Sequence, residues 1–199
     1  SQIDRLAELL QPEQFKNVTD RLSENGMRKG FACLFYGSPG TGKTETVNQL
    51  ARMTGRDVLM VDVSQIKSCW VGESEKKMRE ALRFLDNVAP CVVWIDEIEK
   101  GLSISDGGND TGRRVLGQFL YWLQETESRV FLVATANDVG ALPAELFRKG
   151  RFSQTFFIDL PNDAERKATL QYYCTRALHW TPDASELQTL VQATSGFSY

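Results

Sequence analysis

Five short apolar runs punctuate the chain: Ala32 to Tyr36, Val58 to Val63, Cys91 to Ile95, Val130 to Thr135 and Thr155 to Leu160. Each has the length of a strand and is rich in β-branched or aromatic side chains. Strands apolar on both faces belong in a parallel sheet covered by helices on each side. The intervening segments carry a helical period instead. Met78, Ala81, Leu82 and Leu85 share one face, as do Val115, Leu116, Phe119, Leu120 and Leu123, with charged residues opposite. Alternating strand and helix predict right-handed crossovers and a three-layer α/β fold around a five-stranded parallel sheet.

The pattern changes after Pro161. Asn162 and Glu165 have the spacing of a capping box, and 163–178 and 183–193 read as helices with no strand between them. The expected organisation is therefore an α/β unit over 1–160 and the beginning of a helical lid over 161–199. Ser103 to Gly112, rich in Gly, Ser, Asp and Asn, reads as a surface loop. With 199 residues, 42% hydrophobic and 25% charged, the chain can bury a sizeable core. Four scattered cysteines without a C-x-x-C pair argue against a disulfide framework, and a single histidine, His179, argues against zinc. No stretch nears the roughly 18 apolar residues of a membrane span, and residues 1–10 lack the pattern of a signal peptide. The expected location is the cytoplasm or an organelle stroma.

Between the first apolar run and the next helix lies Gly37-Ser38-Pro39-Gly40-Thr41-Gly42-Lys43-Thr44, which matches the phosphate-binding pattern G-x-x-x-x-G-K-[ST] in its required strand-to-helix setting. The glycines let backbone amides curl around phosphates, and the helix N-terminus adds partial positive charge. Lys43 would reach the β- and γ-phosphates, and Thr44 would give its hydroxyl to Mg²⁺. The third run ends in Asp96-Glu97, where ligands bind in parallel sheets. Asp96 suits the magnesium and Glu97 the attacking water, although acidic strand ends also serve as solvated caps.

The fourth run delivers Asn137 to the same edge of the sheet. A neutral amide there orients a water without adding negative charge, and an Asn-Asp pair equally suits a turn cap. Leu146 to Phe152 is a basic turn ahead of the fifth run. It reads either as surface charge or as arginines aimed at a phosphate on a neighbouring subunit.

Taken in order, these segments resemble the AAA family of ATPases. Gly37 to Thr44 is similar to its Walker A, Val92 to Glu97 to its Walker B, Thr135-Ala136-Asn137 to its first sensor, and Arg148 to Phe152 to its arginine-finger segment. Within the family, 89–100, 113–117 and 146–151 most resemble a group of bacterial and chloroplast AAA proteins. The resemblance implies a P-loop NTPase fold and Mg²⁺-dependent conversion of ATP and water to ADP and phosphate. It implies nucleotide and metal contacts from Lys43, Thr44 and Asp96, a base at Glu97 and a sensor at Asn137. Arg148 and Arg151 would act across the interface of a homo-oligomeric ring, in relatives a hexamer. Trp70-Val71-Gly72 is similar to the family's pore loop, which grips a protein client; packing of Trp70 in the core is the rival reading. Arg113 and Arg114 face the channel or a neighbour in relatives, and a solvated helix face is the alternative.

The resemblance also has gaps. Relatives continue Ser195-Gly196-Phe197-Ser198 with Gly-Ala-Asp, where this chain has Tyr199. No H-e-x-x-H protease element is present, and the base pocket has no clear signature beyond Ile3 and the turn near Gly37. Cys33 and Cys91 read as small core residues, His179 as a surface residue, and Trp94, Trp122 and Trp180 as packing residues. Two other function classes compete with the protein-remodelling motor. One is a nucleic-acid motor or loader, which a net charge of −3 without a basic stripe argues against. The other is a nucleotide-dependent scaffold, which the full set of Glu97, Asn137 and arginines argues against.

Overall fold

The apolar runs become the strands of one sheet. The computed structural model describes residues 2–25, 30–62, 73–88, 90–102, 110–126, 130–148 and 150–199. Its strands are β1 (Phe31–Tyr36), β2 (Val58–Val61), β3 (Val92–Ile95), β4 (Phe131–Ala136) and β5 (Gln154–Phe157). All neighbours are parallel, in the order β2-β3-β4-β1-β5. The fifth run stops pairing early: 158–160 lie beyond the strand, although the Ile158 amide still donates to the Tyr36 carbonyl at 2.8 Å.

The helices are α1 (Gln2–Leu9), α2 (Pro12–Glu24), α3 (Lys43–Thr54), α4 (Glu73–Asn87), α5 (Ile98–Leu102), α6 (Asp110–Glu125), α7 (Asp163–Ala177) and α8 (Ala184–Ala193). Alternation along the inner strands sorts side chains into two cores. Ala32, Leu34, Val93, Ile95, Leu132 and Ala134 face the apolar stripes of α4, α5 and α6. Cys33, Phe35, Val92, Phe131 and Val133 face α1, α2 and α3 on the other side. The predicted faces are the buried ones, Met78, Leu82 and Leu85 on α4 and Val115, Leu116, Phe119, Leu120 and Leu123 on α6 being at most 8% exposed, with Ala81 of the predicted α4 face half-buried. α4 and α6 run side by side in the same direction. Arg114 meets Glu75 at 3.5 Å near their N-termini, and Asp86 accepts from Trp122 Nε1 at 2.7 Å and Thr126 Oγ1 at 3.0 Å near their C-termini. That shared direction is what successive crossovers to parallel strands require.

Covering of both faces holds for β1, β3 and β4 and fails at the sheet's two edges. Val58 and Met60 of β2 are 38% and 56% exposed, and Phe157 of β5 is 58% exposed. An outer strand has one neighbour, and the helix layers reach their limit over it. Asn162 and Glu165 form the predicted capping box, and Asp183 with Glu186 forms a second one at α8.

Two local expectations change. The first turn of α6 begins at Asp110, inside the stretch read as a loop. Trp180 is 39% exposed and belongs to neither core, lying three residues past the end of α7. Trp122 is buried, and His179 is exposed as expected. Among the described residues, no helix is long and apolar enough to cross a membrane.

Candidate functional site

β3, β4 and β1 are adjacent in the sheet, and their carboxyl ends carry Asp96-Glu97, Asn137 and the loop Gly37 to Thr44 respectively. Three segments separated by up to a hundred residues are thereby gathered at one edge, the place where open α/β sheets bind ligands.

The loop at the end of β1 is set by its glycines. Gly37 donates to the Ala136 carbonyl at 3.2 Å, and a Cβ at Gly37 would lie 2.1 Å from the Ile158 carbonyl oxygen. Gly40 and Gly42 have φ of 75° and 88°, which side chains disfavour. Lys43 opens α3 and is 7% exposed. Its ammonium folds back to donate to the Gly37 and Ser38 carbonyls, each at 2.8 Å. Burial lowers its pKa from the ordinary lysine value, opposed by the charges of Glu99, Asp96 and Glu97. Thr41 is buried and donates to the Ser38 carbonyl at 2.9 Å, whereas Ser38, Pro39 and Thr44 are exposed.

The acidic residues are held by β4. Thr135, wholly buried, donates its hydroxyl to Asp96 Oδ1 and accepts from the Glu97 amide at 3.1 Å. Asn137 Nδ2 donates to Glu97 Oε1 at 2.8 Å, so the predicted sensor and base are in direct contact. Glu97 itself has φ of 45°, the left-handed region that a residue with a side chain occupies only when its surroundings impose it. Lys100 donates to Glu97 Oε2. Glu99 accepts from the Asn137 amide at 2.9 Å through Oε1, while its buried Oε2 has no hydrogen-bond partner among the described residues.

Neither Glu99 nor Lys100 was singled out by sequence reading. Nothing in their spacing separates them from ordinary residues of an exposed helix. Arg148 is exposed, and Arg151 donates back to the Glu145 carbonyl within its own turn. Trp70, Val71 and Gly72 lie outside the described residues.

The oxygen donors at this edge suit Mg²⁺. Thr135 occupies one oxygen of Asp96 and so orients the other, and Thr44 presents a hydroxyl on the first turn of α3. No cluster of three or more His, Cys, Asp or Glu with metal-site geometry occurs among the described residues. The donor set therefore fits an ion that takes most of its ligands from phosphate and water.

Beside the loop opens a cavity of about 1190 Å³. Thr41, Gly42 and Thr46 line one wall, and Tyr172, Tyr173 and Tyr199 line another. Tyr172 and Tyr173 meet edge to face with centroids 5.3 Å apart. The Tyr199 amide donates to the Gly40 carbonyl at 3.0 Å, and burial together with Glu165 raises its phenol pKa. Gly37 does not line this cavity. The tyrosines sit on α7 and past α8, where the sequence carried no nucleotide motif.

A parallel sheet in this strand order, with a glycine loop leading from β1 into a helix and acids at the end of β3 one strand removed, defines a P-loop nucleoside-triphosphatase fold. Residues 33–160 match the model of the ATPase family associated with various cellular activities (AAA), and the chain belongs to that family. It is 40% identical over 159 residues to a ycf46 AAA domain-containing protein of Guillardia theta, covering 79% of this chain and 31% of the relative. The corresponding protein of Pyropia yezoensis is 41% identical over 168 residues, covering 82% and 34%. The ATPase family protein 2 homolog of Caenorhabditis elegans is 35% identical over 172 residues, covering 83% and 23%. The chain thus spans about a third or less of these relatives' length.

Proposed function

We propose that the chain is the Mg²⁺-dependent ATPase module of a ring-forming assembly in the AAA manner, a homo-hexamer that remodels or threads a protein client. The observation that carries the reading is the contact between Asn137 and Glu97 at 2.8 Å beside a buried Lys43. A base, a neutral amide and a phosphate-directed cation are what water attack on a γ-phosphate needs.

In this reading the amides of Gly40, Thr41 and Gly42 bind the phosphates, and Lys43 exchanges its loop carbonyls for β- and γ-phosphate oxygens. The tyrosine-lined cavity receives the nucleoside, because aromatic faces suit a base and the cavity adjoins the loop. Thr44 and Asp96 would hold Mg²⁺, whose charge would offset that developing on the phosphates. Asn137 orients the water, and Glu97 takes its proton as the bond from water oxygen to the γ-phosphorus forms and the bond to the β–γ bridging oxygen breaks. Arg148 and Arg151 serve a neighbouring subunit's phosphates, which makes turnover depend on assembly. The exposure of Arg148 supports that role. Trp70 to Gly72 would contact the client, and nucleic acid is disfavoured by the net charge of −3. With an α/β unit over 1–160 and a lid over 161–199, the nucleotide would lie between the two, and the compartment is cytoplasm or stroma.

The test is steady-state ATP turnover with and without Mg²⁺, across protein concentrations, in the wild type and Glu97→Gln. Turnover per chain should rise with concentration. Glu97→Gln should retain ATP binding and lose roughly 10²- to 10⁴-fold in rate, the usual contribution of a general base. Wild-type turnover in the Glu97→Gln protein would remove Glu97 from the mechanism.

A further inference from the structure

We infer that Lys100 is a positioning residue for hydrolysis, holding the Glu97 carboxylate from the side opposite Asn137. The inference rests on the reading of Glu97 as the base. The short helix α5 is pinned by Ile98, Gly101 and Leu102, all buried, and the Lys100 amide donates to the Glu97 carbonyl at 2.8 Å. One turn of helix therefore brings the lysine side chain back over Glu97, where its ammonium bonds Oε2 while Asn137 Nδ2 bonds Oε1 at 2.8 Å.

Each carboxylate oxygen holds one donor and keeps a lone pair free, so the group is fixed in plane and still able to accept a proton. Its backbone is fixed as well, by the Glu97 amide donating to Thr135 at 3.1 Å. A glutamate side chain otherwise has several rotamers to search, and holding one of them in advance is how a site lowers the cost of reaching its reactive geometry. The hydrogen bond to Glu97 is the foremost cause of the raised Lys100 pKa, ahead of the other acids nearby. Lys100 is exposed, so substitution leaves the core intact and the pair's influence is bounded by what solvent-screened ion pairs deliver.

The experiment is single-turnover ATP hydrolysis by the chain bearing Lys100→Ala, Lys100→Arg, or Lys100→Ala combined with Glu97→Gln, with affinity for a fluorescent ATP analogue measured in parallel. Lys100→Ala should slow hydrolysis about fivefold, the upper end for an exposed pair, with analogue affinity unchanged. Lys100→Arg, which keeps a donor within reach of Glu97, should return the rate to within about twofold of wild type. On the Glu97→Gln background Lys100→Ala should cause no further loss, since a residue acting through Glu97 has nothing left to position. A Lys100→Ala rate within about 1.5-fold of wild type, or a full further loss on the Glu97→Gln background, would overturn the assignment of Lys100 alone. A wild-type rate unaffected by Glu97→Gln would overturn the base reading and the Lys100 inference with it.

Discussion

Thr135 offers a sharp test of how β4 holds the acids of β3. It is wholly buried, donates to Asp96 and accepts from the Glu97 amide, so Thr135→Val removes two hydrogen bonds while nearly preserving shape. A hydrogen bond to an ionised carboxylate contributes about 1.5–3 kcal/mol, and a part-buried amide left without an acceptor costs about 1–3 kcal/mol. The valine methyl returns part of this, about 1 kcal/mol, because the new group is apolar in an apolar strand. The net loss should be about 3 kcal/mol. For a chain of 199 residues that corresponds to a Tm lower by about 6–12 °C. Thr135→Ser is the control, since it keeps both hydrogen bonds and loses one buried methyl, about 1 kcal/mol. Urea unfolding followed by circular dichroism reads both. If Thr135→Val were no less stable than Thr135→Ser, the hydroxyl would not be bridging the two acids and the reasoning would fail.

Two further outcomes follow from the same geometry. Gly37→Ala should cost about 1–3 kcal/mol and weaken binding of an ATP analogue, because its Cβ would meet a backbone carbonyl at 2.1 Å; Gly55→Ala, with positive φ but nothing within 4 Å, should cost about 1 kcal/mol and leave binding unchanged in a titration. Burial raises the Cys33 thiol pKa far above its ordinary value, so its contribution to stability is complete below the unfolded thiol's pKa near 8.5 and is lost as the pH climbs above it. Between pH 8 and 10 the wild type should lose about 2 kcal/mol more than Cys33→Ala in denaturant unfolding, and equal losses would refute that origin.

Much of this arrangement was legible along the chain because it is local. The glycine loop, the capping box at Asn162 and Glu165, and the apolar stripes of α4 and α6 each depend on residues within one or two turns of each other. The acids at 96 and 97 and the amide at 137 were legible as chemistry, each at the end of an apolar run. Their direct contact was not, since it depends on β4 lying between β3 and β1. Lys100 and Glu99 carried no signal, because an acid and a lysine on a short helix are ordinary surface composition until a neighbouring strand meets them. The tyrosine-lined cavity carried no signal for the same reason: Tyr172 and Tyr173 sit on α7 and Tyr199 past α8, remote in sequence from the loop they adjoin.

Alternation of apolar strand and amphipathic helix, together with glycines where the backbone must turn against side-chain sterics, determined the fold class, the phosphate loop and the family from the sequence alone. These are properties of short segments, and short segments carry their own steric and hydrophobic preferences. Tertiary structure alone decided which strands became edges, that Thr135 bridges Asp96 and Glu97, that Glu97 is held between Asn137 and Lys100, and that Tyr172, Tyr173 and Tyr199 wall the cavity. Hydrogen bonds and burial of that kind join residues whose separation along the chain bears no relation to their distance in space, and only strand order brings them within reach.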